Sequence, residues 1–423
     1  MGKLCIINVV GLTPNLMRHA PRLSQLGSAT PLRPPIPAVT MTSQATLLTG
    51  LPPSQHGIVG NGWYYRDTCE IRFWQQANSL VQGSKFYEGL RTAKMFWWFN
   101  QGSGCEWSVT PKPHYGSDGS KEFDVIDATG CDLVQQLGPF PFHAFWGPMA
   151  GLASTEWIAK STAIVMRQQQ PELTLVYLPH LDYDYQRYSA QSPERVAEVD
   201  RCAGEVIDAA HDIGAEVIVV SEYGLVPVER PVMINQELRR AGWLTVRDGP
   251  FGEMLMPVDS RVFAVADHQV AHVYVRDVPL DDVRSRLEAI PGVARVVAPE
   301  ELDLQHSRSG ELIALSEPDA WFAYYYWLDN ARAPDFATSV DIHRKPGYDP
   351  CELFMTSKLR AAARLLQKKL GFRYRMDVVP LEPRLVRGSH GLLNEPDDGA
   401  MIIGPNDPPS DMQEFSRYVR DLI

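Results

Sequence analysis

The chain has 423 residues, 44% of them hydrophobic and 22% charged, a composition that supports a large buried core and leaves little for a long disordered tract. Its 40 Lys and Arg against 51 Asp and Glu give a formal charge of −11, which argues against a broad nucleic-acid or anionic-membrane surface but allows a local phosphate pocket. No uninterrupted apolar stretch reaches the ~18 residues of a membrane span, and the six cysteines lack C-x-x-C spacing, so a soluble, cytoplasmic protein with reduced thiols is the expectation.

Short apolar runs alternate with amphipathic stretches, the pattern of a largely parallel sheet with helices on both faces. Leu4 to Val10 predicts a first buried strand; the run is too short for the core of a signal peptide. A helix is expected from Pro14 to Leu26. A proline-rich passage through Pro31, Pro34, Pro35 and Pro37 then leads to a second helix, starting near Met41 and stopped by Gly50 and Pro52. Leu173 to Leu178 and Glu216 to Val220 read as fully buried strands, and the helical spacing of Pro193 to His211 between them completes a βαβ unit.

Beyond Gly224 the pattern is less regular. Asn235 to Ala241 and Leu280 to Ile290 are helical, Val262 to Val275 and Trp321 to Trp327 are β-rich, and residues 225–330 read as a cap within a single domain spanning 1–423. A last long helix, Ser357 to Leu370, precedes a loop-rich tail that contains Gly388-Ser389-His390-Gly391.

The most informative segment runs from Pro37 to Asn61. A Thr that opens a helix faces unpaired backbone N–H groups and the positive end of the helix dipole, which favour a bound phosphate and help a hydroxyl ionise. Thr40 stands in that position, where it can serve as a nucleophile or simply as a helix cap. The whole run, Thr40 through Thr49-Gly50-Leu51-Pro52-Pro53-Ser54-Gln55-His56-Gly57-Ile58-Val59-Gly60-Asn61, resembles the nucleophile segment of the alkaline phosphatase superfamily, in its nucleotide pyrophosphatase/phosphodiesterase branch and in phosphonoacetate hydrolases. There a Thr stands ten residues before the Gly of a T-G pair, as Thr40 does before Gly50, and an H-G-I-x-x-N run follows.

The resemblance implies an α/β fold with an alkaline-phosphatase-like core, Thr40 as nucleophile and a site on the loops that follow the sheet strands. His56 falls in a turn and is assigned a structural role. Later motifs follow in family order. Around Tyr177-Leu178-Pro179-His180-Leu181-Asp182, Asp182 matches a metal-binding Asp, and Gln186 takes the position of a His four residues on. Ser221-Glu222-Tyr223-Gly224 resembles an S-D-H-G segment, with Glu222 for Asp and Tyr223 for His, and His390 keeps the ligand of a final G-x-H-G. The first strand of the family ends in Asp-Gly, whereas this one ends in Val10-Gly11, with Asn8 two residues earlier; Ser43 replaces a phosphate-contacting Asn.

The resemblance therefore implies a hydrolase of small organic phosphodiesters, related esters or phosphonates, with Thr40 attacking phosphorus, Ser43 steadying the oxyanion and Glu222 assisting a metal or acting as base. Asp182, His390, Glu222 and Gln186 would hold one or two divalent ions, zinc by the mixed His and carboxylate shell or manganese where oxygen predominates. Three readings of the departures stay open: one metal in place of two; ligands moved to Asp267, His268 and His272; or a phosphate cradle kept while hydrolysis is lost, leaving a protein that binds a phosphorylated metabolite or performs other chemistry on it. The expected partner is a small phosphorylated molecule, with no nucleic acid and no membrane. Asp341 to Pro350 and Thr110 to Gly119 combine cations, His and turn residues suited either to an anion or to a solvated loop, and Trp63 or Tyr64 can flank the pocket or join the core.

Overall fold

A computed structural model of the chain describes residues 2–116, 121–188 and 192–423. The elements that position the site are, in chain order, β1 (Lys3–Val9), β2 (Thr30–Pro31), α1 (Thr40–Thr49), β3 (Thr92–Met95), β4 (Trp107–Tyr115), β5 (Lys121–Asp127), α2 (Leu152–Gln169), β6 (Leu173–Leu178), α3 (His180–Tyr188), α4 (Pro193–Asp212) and β7 (Ala215–Val220). They are followed by β8 (Val262–Asp267), β9 (Val270–Val275), α5 (Leu280–Glu288), β10 (Val293–Val297), β11 (Leu312–Ser316), α6 (Lys358–Lys369), β12 (Met401–Ile403) and α7 (Phe415–Leu422).

The central sheet has eight strands in the order β2-β12-β7-β1-β6-β3-β4-β5. The five strands from β7 to β4 run parallel, and the antiparallel pairings lie at the two edges. β1 shows why the run from Leu4 to Ile7 is apolar without interruption. Leu4 and Ile6 enter one core while Cys5, Ile7 and Val9 enter the other, because alternate side chains of a strand point to opposite faces. Helices α2 and α4 cover the Cys5 face with residues such as Trp157, Ile158, Val199 and Val206. The Leu4 face is covered by α1 through Met41, Leu47 and Leu48, and by α7 through Phe415 and Val419. The mostly parallel sheet with helices on both faces is the architecture the sequence predicts.

A second, four-stranded antiparallel sheet in the order β8-β9-β11-β10 has its own core with the aromatic run Tyr324 to Trp327 and with Phe322. Two local differences from the sequence reading have simple causes. Pro14 to Leu26 is a 3-10 helix (Pro14–His19) followed by a short turn of α-helix (Pro21–Ser24), because Pro21 lacks an N–H and its ring opposes the carbonyl four residues back. Val262 to Val275 is a hairpin that reverses at His268 and Gln269, so His268 and His272 do not share the face that an unbroken strand or helix would give them.

The other polar and aromatic clusters are absorbed by the fold. Lys345 is buried and paired at 2.7 Å with both Asp349 and Glu352. Trp63 is buried, stacks on Tyr65 and lies beneath the Arg308 guanidinium. Thr110 to Tyr115 belong to β4, whereas Ser117, Asp118 and Gly119 lie outside the described residues.

Candidate active site

The site assembles at the carboxyl ends of β6 and β7. Val39 is extended and accepts the Ser43 N–H at 2.9 Å, so Thr40 is the first helical residue of α1. Asn61, the last residue of the H-G-I-V-G-N run, fixes this turn: its Oδ1 accepts the Met41 N–H at 3.0 Å, while its own N–H and Nδ2 donate to Asp267 at 2.7 and 3.1 Å. His56 is buried and accepts the Ile58 N–H at 3.0 Å on Nδ1, which leaves its Nε2–H for the Thr46 hydroxyl at 3.0 Å. His56 thus braces α1 from below.

Thr40 is only 3% exposed, and its Oγ1 lies 3.0 Å from the Tyr223 hydroxyl. Tyr223 in turn donates to Asp182 Oδ1 at 3.4 Å. Asp182, in the first turn of α3, also accepts Gln186 Nε2 at 2.8 Å on Oδ2, and the Gln186 carbonyl takes the Tyr348 hydroxyl at 2.7 Å. Glu222 is fully buried, with Oε1 accepting Asn8 Nδ2 and, at 2.6 Å, Gln44 Nε2. Its Oε2 and Asn8 Oδ1 have no hydrogen-bond partner. Ser43 lies a turn deeper in α1, with Oγ 3.4 Å from the Glu222 backbone carbonyl.

His390 donates Nδ1–H to the Ala38 carbonyl at 2.8 Å, which turns the Nε2 lone pair toward Asp182 Oδ1, 3.6 Å away. It reaches this position because residues 388 and 389 run hard against α3; a Cβ on Gly388 would stand 2.3 Å from the Tyr185 carbonyl oxygen. Four rings stack in a column, Tyr223 on His390 at 3.6 Å, His390 on His268 at 3.7 Å and His268 on Tyr348 at 3.8 Å. The structure therefore brings Thr40, Asp182, Gln186, Glu222 and His390 together and adds His268 through the ring column. Asp267 supports α1 through Asn61, and His272 is occupied elsewhere, by the Val59 carbonyl at 2.9 Å and the Gly310 N–H at 3.2 Å.

Burial dominates the electrostatics. It raises Asp182 to about 7, against hydrogen bonds from Gln186 and Tyr223, and Glu222 to about 8, against those from Gln44 and Asn8. The same desolvation lowers His390 to about 3 and holds His268 well below the usual imidazole range. Among the described residues neither Asp182 nor Glu222 is paired with a Lys or Arg. A cavity of about 360 Å³ adjoins the site, walled by Ala38 and Tyr223 and lined further by Arg33, Leu392, Leu393 and Asn394. A larger groove of about 580 Å³, lined by Arg72, His343 and Arg344 among others, includes none of the clustered residues.

Residues 4–349 match the family model described as Type I phosphodiesterase / nucleotide pyrophosphatase. The chain belongs to that family. It is 25% identical to an uncharacterized pyrophosphatase/phosphodiesterase of Schizosaccharomyces pombe over 51% of this chain and 41% of that protein, so it matches about two fifths of that relative's length. Its fold is similar to that of phosphonoacetate hydrolase from Sinorhizobium meliloti 1021 in complex with phosphonoformate, with a TM-score of 0.62 and 16% identity over 99% of this chain and 95% of the other. Murine ectonucleotide pyrophosphatase / phosphodiesterase 5, as an inactive variant in complex with AMP, gives a TM-score of 0.58 and 12% identity over 100% and 95% of the two chains.

This member of the family has a distinctive donor set. Among the described residues no three His, Cys, Asp or Glu side chains are grouped to hold a metal ion. One oxygen of each carboxylate already takes amide N–H groups, Gln186 on Asp182 Oδ2 and both Asn8 and Gln44 on Glu222 Oε1, while Glu222 Oε2 and Asn8 Oδ1 are left without a partner. An amide N–H cannot coordinate a cation, and Gln186 has its carbonyl committed to Tyr348. The residues present do not fit the two-metal shell: His390 Nε2 faces Asp182 Oδ1 at 3.6 Å, but Tyr223 and Gln186 stand where further ligands would be needed.

Gln44, Asn61 and Tyr348 were not singled out by the sequence reading. Asn61 had a signal, since it closes the H-G-I-x-x-N run. Gln44 had none, and Tyr348 lay in the Asp341 to Pro350 run without any sign of its own role; they reach the site across 178 and 162 residues respectively.

Proposed function

We propose that the chain is a phosphoric ester hydrolase acting on a small organic phosphodiester or related ester, with Thr40 as nucleophile and a hydrogen-bond relay activating it. The observation that carries this reading is the contact between Thr40 Oγ1 and the Tyr223 hydroxyl at 3.0 Å, with Tyr223 directed on to Asp182. As Thr40 Oγ1 bonds to phosphorus, its proton passes to the Tyr223 oxygen while Tyr223 releases its own to Asp182 Oδ1. The bond from phosphorus to the departing ester oxygen breaks, and that oxygen takes a proton from water. A water molecule then attacks the phosphothreonine and the bond from phosphorus to Thr40 Oγ1 breaks; Asp182 returns its proton through Tyr223 to that oxygen, and the proton lost by the attacking water neutralises the hydroxide left by the first step.

The relay needs Asp182 ionised, whereas Glu222 is useful in its protonated form, as a donor to a phosphoryl oxygen. First-turn amides of α1 other than those of Met41 and Ser43, which are already bonded, supply further donors at the positive end of the helix dipole. The cavity beside Tyr223 and Ala38, with Arg33 and Asn394 on its wall, has the size and mixed lining suited to the organic part of the substrate. The similar structures, which hold AMP and phosphonoformate, support a small phosphorylated ligand.

The test is turnover of aryl phosphodiesters by protein purified and assayed with a chelator. Activity that survives chelation and is abolished in Thr40→Ala supports the reading, and a Thr40→Ala variant as active as the parent overturns it. A second reading, binding of a phosphorylated metabolite without hydrolysis, is favoured by the amides that occupy the carboxylate oxygens and by the near-complete burial of Thr40. It requires AMP to raise the melting temperature of a protein that shows no turnover of any phosphodiester.

A further inference from the structure

Helix α6 is amphipathic but inverted. Amphipathic surface helices ordinarily turn their apolar stripe to the core and their charges to water. Here the polar stripe faces the protein: Arg360 and Arg364 bind the buried Asp377 carboxylate at 2.7 to 3.1 Å, and Arg364 also holds Gln367. No residue of the helix is buried. The opposite stripe carries Leu359, Leu366 and Leu370, at i, i+7 and i+11, which are 83%, 57% and 61% exposed, and Phe372 just beyond the helix is 64% exposed.

The charge around that stripe is one-sided. Residues 357–376 contain seven Lys and Arg and no Asp or Glu, in a chain whose formal charge is −11. Apart from Arg360 and Arg364, these cations have no ion-pair partner among the described residues. Lys358, Lys368 and Lys369 sit on the helix, with Arg373 and Arg375 after it. Leucines and a phenylalanine flanked by lysines, whose aliphatic stems can lie along apolar surface while the ammonium groups reach outward, are the chemistry of an interfacial helix on anionic lipid. No helix among the described residues is long and apolar enough to cross a membrane.

We infer that α6 docks the protein on an anionic membrane surface, inserting Leu359, Leu366, Leu370 and Phe372 between headgroups that its lysines and arginines attract. Charge complementarity selects this occupant. A second copy of the chain would set two like-charged patches against each other, and a neutral apolar partner would leave the cations unpaired. The overall negative charge, which argues against such a surface for the molecule as a whole, conceals a local one.

The test is flotation of the full chain with vesicles of phosphatidylcholine alone and of phosphatidylcholine mixed with phosphatidylglycerol. Binding is expected only to the mixed vesicles, and is expected to weaken as salt rises. Leu359→Glu with Leu366→Glu should lower the partition coefficient by at least about tenfold, and Lys368→Glu or Lys369→Glu by about fivefold or more each. Because these side chains are exposed, the variants should keep the parent's circular dichroism, melting temperature and turnover. Failure to float with anionic vesicles, or flotation undiminished in the leucine variants, overturns the inference. So does a concentration-dependent dimer that the same variants abolish.

Discussion

Replacing Tyr223 with Phe keeps the ring that stacks 3.6 Å from His390 and deletes only the oxygen between Thr40 and Asp182. The buried contacts of the ring survive, so the cost in stability should be that of a lost hydroxyl hydrogen bond, about 1 to 2 kcal/mol, and the fold should persist. The cost in activity should be much larger. Thr40 would lose its 3.0 Å proton acceptor, so the general-base contribution of roughly 10²- to 10⁴-fold in kcat/KM should disappear. The assay is kcat/KM on an aryl phosphodiester in the presence of a chelator from pH 6 to 9. The parent should gain activity as Asp182 ionises near pH 7, and the variant should lose that limb as well as the rate. Tyr348→Phe is the control, since it removes the Gln186 partner but leaves the relay in place, and its loss should stay within about tenfold. A Tyr223→Phe enzyme within about twofold of the parent, with the same pH profile, would refute the relay.

Other outcomes follow from the same geometry. The pH–rate profile of the parent should be bell-shaped, rising near 7 with Asp182 and falling near 8 as Glu222 loses its proton; a flat profile from 6 to 9 would contradict these roles. His272 is buried neutral, with its imidazole lowered to about 4 by desolvation. The unfolded chain therefore binds the proton first as pH falls, so the contribution of His272 is complete above its ordinary value of 6.5 and is lost through about pH 4. His272→Gln should flatten the decline in unfolding free energy over that range by roughly 3 kcal/mol, as measured by urea unfolding at several pH values. At Gly224 a Cβ would stand 1.8 Å from the Asp398 carbonyl oxygen, so Gly224→Ala should cost about 3 kcal/mol or more and lower the melting temperature, with the loop after β7 displaced.

The parts of the fold legible in the sequence were those whose burial leaves a simple pattern. β1, β6 and β7 are mainly apolar because both of their faces are covered, and α4 shows its helical period over twenty residues. The hairpin of β8 and β9 gave no such sign, since its turn falls at His268 and Gln269 without a Gly, Pro or Asn, and His268 adopts a left-handed conformation with φ of 59°. Thr40, Asp182, Glu222 and His390 could be read from local motifs because each lies just after a strand or opens a helix, where an open α/β sheet gathers its site. What those residues touch could not be read. The bond between Asn8 and Glu222 spans 214 residues, and the role of Tyr223 emerges only when its hydroxyl is seen between Thr40 and Asp182. The inward polar stripe of α6 was equally silent, because an amphipathic period does not say which side meets the protein.

The central claim is that the Thr40 hydroxyl attacks phosphorus. Acid quenching during turnover of an aryl phosphodiester, followed by peptide mass spectrometry, tests it most directly. The expected result is a phosphoryl adduct on the peptide containing Thr40 that appears within the first turnover and is absent from Thr40→Ala. Sustained turnover with no adduct on that peptide, or an adduct on another residue that survives Thr40→Ala, would contradict the account.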